Sequence, residues 1–120
     1  MTTLITAAQF AELRANGVAS INAARAGIPF DPKPVVKLYT PHWYGRWLLT
    51  EIDPLLAHRA FGLCDAGHGA LPDLGFVNLR DLYDVHRTLK FHVIPDTRFV
   101  ADKPLSVYAE VARIRGLIIA

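Results

Sequence analysis

Apolar and polar positions change their rhythm twice along the chain. In "ITAAQFAELRANG", Thr6 is followed three residues later by Gln9, the spacing of a capping box, and Ile5 and Phe10 are placed to staple across it. Phe10 and Leu13 fall on one side of the resulting helix, Glu12 and Arg14 on another, and Gly17 offers the left-handed residue that ends helices. The pattern predicts a helix over about 7 to 16, with a second short helix in "VASINAARAG" closed by Gly27. Together they make a helical N-terminal segment over about 6–27.

Beyond "DPKP", whose prolines exclude helix, the rhythm becomes that of strands. "VVKLYT", "RWLLTEI", "AFGLCDA" and "GFVNL" are short, rich in branched and aromatic residues and separated by turn-forming segments, which predicts an antiparallel meander over about 35–79. A short helix near 80–86 and an edge strand around Arg98 to Val100 follow. Pro104 suits a first helical turn, and Leu105, Tyr108, Ala109 and Ala112 recur at helical spacing up to Gly116, predicting a C-terminal helix over about 104–115. The expected fold is α+β: one domain over 1–120, an antiparallel meander sheet of four to five strands packed by N- and C-terminal helices.

The shortest hairpins set Leu38 beside Trp47, Leu49 beside Leu63, and Leu63 beside Val77. In that register Val36, Leu38, Trp47, Leu49, Phe61, Leu63, Val77 and Leu79 form the core face, with Trp47 its anchor. Lys37, Tyr39, Arg46, Leu48, Thr50, Cys64, Phe76 and Asn78 lie on the other face, which an antiparallel sheet can leave wet. Cys64 is then a structural strand residue beside Phe76.

Composition narrows the function. With 52% apolar and 20% charged residues the chain is globular, and 13 basic against 11 acidic residues leave a net charge of +2 with no basic cluster. That balance disfavours nucleic acid as the partner, although Lys37, Arg46 and the aromatic "HWY" offer phosphate contacts and stacking. A single cysteine fits a reducing compartment, here the cytoplasm. No apolar run approaches the ~18 residues of a membrane span, and no signal peptide is expected.

The glycine-rich stretch "AFGLCDAGHGALPDLGFVNL" gathers Cys64, Asp65 and His68. Cys64 has no base beside it in sequence to make a thiolate. His42, His58, His68, His86 and His92 are too scattered for a metal motif, so neither metal nor cofactor is expected. "GHGALPDLG" leads into a strand rather than a helix, so it is no phosphate cradle. It reads as a hairpin loop in which Gly67 and Gly69 take positive φ and Asp65 and Asp73 bond turn amides, with His68 at the tip. Asp53 before Pro54 is likewise a turn initiator.

At "PVVKLYTP", "WLLTEIDP", "AFGLCDAGHGALPDLGFVNL" and "KPLSVYAEVAR" the chain resembles a bacterial family known as domain of unknown function 2958, over about residues 28 to 115. The resemblance implies a small cytoplasmic protein carried on plasmids and other mobile elements, near genes for anti-restriction or DNA maintenance, and assigns no catalytic residue. "HWYGR" and His68 depart from the family's pattern and borrow no role from it.

The expectation is therefore a small non-enzymatic protein-binding accessory factor of a mobile element, modulating host defence of the anti-restriction or anti-CRISPR type, or plasmid maintenance. Tyr39, His42, Trp43, Tyr44, Arg46 and His68 are the expected protein-binding residues, because aromatic and Arg side chains on loop tips supply anchors. The alternatives are a small hydrolytic or metal-assisted enzyme using Asp65 and His68, and a weak nucleic-acid-binding module.

Overall fold

The computed structural model describes residues 4–41, 44–67, 71–88 and 93–120, without the side chains of 84–88. Helix α1 (Ala7–Ala26) leads into strands β1 (Val36–Tyr39), β2 (Arg46–Asp53), β3 (Leu56–Asp65) and β4 (Asp73–Asn78). Helix α2 (Leu79–Thr88), the two-residue strand β5 (Ile94–Pro95) and helix α3 (Leu105–Arg115) complete the chain. All neighbouring strands are antiparallel, in the order β4-β3-β2-β1-β5. The α+β meander packed by terminal helices is therefore present, with five strands.

The capping box forms as its spacing predicts: the Gln9 amide donates to the Thr6 hydroxyl, and the Thr6 amide donates to the Gln9 side chain. Gly17, however, does not end the helix. α1 continues to Ala26 and is closed by Gly27 at φ 67°, so one long helix replaces the two expected. Gly17 is instead a point of close approach, since a Cβ there would lie 2.0 Å from the Ile52 carbonyl oxygen. Asn16 beside it donates to the Thr50 carbonyl at 2.9 Å. Thr50 is the extra residue of a β-bulge, because Leu49 pairs with Gly62 and Glu51 with Phe61. α1 thus rests on the sheet by backbone contact at its middle, where a side chain would hold it away.

The bulge and its surroundings change the register. Leu38 pairs with Trp47 as expected. Leu63, however, pairs with Leu48 rather than Leu49, and with Leu74 rather than Val77. These odd-numbered shifts turn β3 over and leave β4 the right way up. Trp47, Leu49, Ile52, Ala60 and Val77 face α1, together with Cys64, while Leu48, Phe61 and Leu63 face α3. Cys64 stands opposite Trp47 and Asp73, not beside Phe76.

The second face is not left wet. Leu105, Tyr108 and Ala112 of α3 cover Leu48 and Leu63, and Ile118 closes over the same cluster. Pro104 has no side chain to cap α3, and Asp31 supplies the missing acceptor: its carboxylate takes both the Ser106 amide, at 3.0 Å, and the Ser106 hydroxyl. The edge strand lies at Ile94–Pro95 rather than at 98–100. Asp96 starts a turn there, accepting the Arg98 amide on its side chain and the Phe99 amide on its carbonyl.

Candidate functional site

Three of the expected binding residues, Tyr39, Tyr44 and Arg46, come together on the α3 side of the sheet. They sit at the end of β1 and β2, inner strands, rather than at a lateral edge. Tyr39 and Arg46 are directly opposite each other and so project to one face. The Arg46 guanidinium lies 4.6 Å from the Tyr44 ring centre and 5.4 Å from that of Tyr39, within cation–π range of both. One of its N–H groups donates to the Gly45 carbonyl at 2.9 Å. His42, Trp43 and His68 lie outside the described residues.

The cluster is anchored by the chain that follows α3. Gly116, at φ 76°, turns the backbone back, and the Tyr44 hydroxyl donates to the Ile118 carbonyl at 2.6 Å. Burial raises the Tyr44 phenol above its ordinary value, and the Asp65 charge acts in the same direction against Arg46. It stays a protonated donor at neutral pH. Lys37 also approaches Tyr39, 6.0 Å from the ring centre, and pairs with Asp96 at 3.3 Å. Nothing in the sequence pattern pointed to residues 116–120 as part of this site; the contact is long-range.

Asp65 is opposite Arg46 on β3, yet it is buried and one of its oxygens accepts the Gly67 amide at 2.9 Å. Gly67 has φ 78°, so the expected turn chemistry at its start is present. Gly69 lies outside the described residues. Asp53 likewise accepts the Leu55 amide, as a turn initiator should. Asp73 bonds the amide of Leu74, its immediate neighbour.

Cys64 does not have the setting of a nucleophile. Burial, with Asp73 nearby adding to it, pushes its thiol up to about 11. Among the described residues no group of three or more His, Cys, Asp or Glu is placed to hold a metal ion. A second exposed cluster, which the inverted β3 concealed from sequence reasoning, lies at the β3–β4 margin. There Arg59 lies 3.7 Å over the Phe76 ring, which meets Phe61 edge-on at 5.1 Å.

The fold and this site define an α+β protein with an open antiparallel sheet, helices on both faces and an aromatic–arginine cluster at one end. The family model described as Protein of unknown function (DUF2958) matches residues 4–119, and the chain belongs to that family. No curated protein and no solved structure matched the chain. Among the described residues no helix is long and apolar enough to cross a membrane.

Proposed function

We propose that this is a non-enzymatic binding protein whose partner is another protein, engaged at the strand end that carries Tyr39, Tyr44 and Arg46, with His42 and Trp43 adjoining in sequence and His68 in the segment that connects β3 to β4. The observation that supports this reading most directly is the posture of Arg46: stacked on two tyrosines, half-exposed, and held by the fold before any partner arrives. Arg and Tyr are the residue types in which binding energy concentrates, and prior ordering reduces the entropy lost on association. The burial of Asp65 and the raised thiol of Cys64 favour binding over hydrolysis.

The wider role we propose is that of a cytoplasmic accessory factor of a mobile element, acting on host defence or plasmid maintenance. It rests on the resemblance of the sequence motifs rather than on the site. Capture of interacting proteins from the natural host, comparing wild type with Trp43→Ala and Arg46→Ala, tests this strand end as the binding site. Each substitution should weaken capture of the same protein by more than ~1 kcal/mol while the thermal midpoint moves little. Undiminished capture by both variants would remove this site from consideration.

A further inference from the structure

Arg46 differs from every other described cation. The partly buried Lys37 and Lys103 each have a carboxylate, Asp96 and Asp102, and so do the more exposed Arg59 and Arg113, with Asp53 and Glu110. The remaining described Arg and Lys side chains are exposed, where water suffices. Among the described residues Arg46 alone is half-buried without an ion pair, although Asp65 stands opposite it. The connecting segments that leave the same end of the sheet, "TPHWYG" (40–45) and "AGHGALP" (66–72), contain no Asp or Glu that would supply one.

Its hydrogen bonds lead to the same place. A guanidinium has five N–H donors, and one of them is used, on the Gly45 carbonyl. No buried side-chain nitrogen or oxygen among the described residues lacks a partner, so the two Arg46 nitrogens that make no hydrogen bond, Nε and Nη2, are not buried. The rings of Tyr39 and Tyr44 meanwhile fix the group in place. This is a planar donor fork with its position set and most of its capacity unspent, the geometry that takes a carboxylate in two parallel hydrogen bonds.

We infer that Arg46 is the receptor for a single carboxylate of the partner, an Asp or Glu side chain with apolar neighbours that pack on Tyr39 and Tyr44. This deepens the binding reading and rests on it. A polyanion fits less well: Lys37 is already engaged by Asp96 and by the Ala120 carbonyl, Asp65 lies close by, and the chain's net charge is +2. One fork whose neighbouring cation, Lys37, is already paired suits one carboxylate.

Three probes test this by NMR on the Gly45 amide and the Arg46 side-chain N–H: an acetylated, amidated Leu-Glu-Leu-Glu-Phe peptide, its Gln counterpart, and inorganic phosphate. The Glu peptide should shift these signals saturably, and about tenfold more tightly than the Gln peptide. Arg46→Gln should abolish the preference and Arg46→Lys should lose most of it, with both variants retaining the wild-type thermal midpoint. Equal binding of the two peptides overturns the carboxylate receptor and leaves the aromatic site standing. So does a preference that survives in Arg46→Gln, or displacement of the peptide by equimolar phosphate. Absence of any shift with either peptide also overturns it, whereas the binding site itself is judged by the capture comparison.

Discussion

The two faces of the sheet bury similar residue types and end differently. On the α1 side, helix and sheet meet backbone to backbone at Gly17, and the cluster around Leu13, Leu38, Trp47, Leu49 and Ile52 is almost fully withdrawn from water. On the other side α3 and Ile118 cover only the centre, over Leu48 and Leu63. The margins of that second face stay open, with Phe76 56% exposed at one and the half-exposed Tyr39 and Arg46 at another. Stability is concentrated where contact is closest, and binding capacity where coverage stops. One sheet thereby separates the two demands, since substitutions on its open margins need not disturb the closed face.

The sharpest contrast pairs Trp47 with Phe76. Trp47 is 6% exposed within the α1-side cluster, so Trp47→Ala removes a large side chain that the surroundings cannot replace. A loss of about 3–5 kcal/mol in denaturant unfolding is expected. Phe76→Ala, on the open margin, should cost about 1 kcal/mol or less, because much of that ring already meets water. Equal losses would dissolve the distinction between the faces.

Gly17→Ala comes next, and its sign is diagnostic. Alanine is the better helix former by about 1 kcal/mol, so propensity alone predicts a gain. The new methyl would instead press into the Ile52 carbonyl, and α1 or β2 must move. A net destabilisation of about 2 kcal/mol is expected from urea titration. A more stable variant would show that α1 rides higher on the sheet.

Asn16→Ala tests the polar half of the same contact. The Thr50 carbonyl would lose the side-chain donor that Asn16 supplies at the bulge, at a cost of about 1–2 kcal/mol. The measurement should be made at the same denaturant conditions as the Gly17 variant, since neighbours on one helix turn couple. If Asn16→Ala is neutral, water satisfies the bulge and the α1 face is less dry than its burial suggests.

These particular contacts also show what was legible in the sequence. The start of α1 could be read because a capping box is local: Thr6 and Gln9 recognise each other within one turn. Its end could not, because Gly17 looks the same whether it supplies positive φ or room for a passing strand. β3 was inverted for a related reason. "AFGLCD" is apolar on both sides because helices cover both faces of the sheet, and alternation then carries no information about which side is inward. The bulge at Thr50 shifts the register as well, and Gly62, whose absent Cβ would lie 1.9 Å from the Leu48 carbonyl oxygen, marks that tight passage. At the site, Tyr39, Tyr44 and Arg46 were legible as neighbours in sequence. The tether from Ile118 and the lack of an ion pair at Arg46 were not, since both depend on residues far along the chain.

The smallest effect separates the faces by charge. Glu51 lies beside α1, where burial raises its carboxyl above the ordinary 4.5 and Asp53 adds to the rise, against a hydrogen bond from Ser20. For Asp96, on the other face, burial is the largest single influence and pushes the carboxyl up, but the Arg98 amide, the Lys37 hydrogen bond and the charges of Lys37 and Arg98 together hold it below its ordinary 3.8. The signs are opposite. A raised carboxyl contributes stability below its unfolded pKa and loses it as pH climbs through the folded value, so Glu51 is a net cost at neutral pH. A lowered one contributes above its unfolded pKa and loses that contribution as pH falls through the folded value. Glu51→Gln should therefore stabilise the protein modestly at pH 7, with the gain fading as pH falls to 4.5 and below. Asp96→Asn should destabilise it modestly at pH 7, with the loss fading only at pH values under 3.8. Thermal midpoints of both variants between pH 3 and pH 7 would show the two differences from wild type shrinking in acid from opposite sides. If Glu51→Gln instead destabilises at pH 7, the ionised carboxylate is a net asset where α1 meets β2, and the dry character assigned to that contact is wrong.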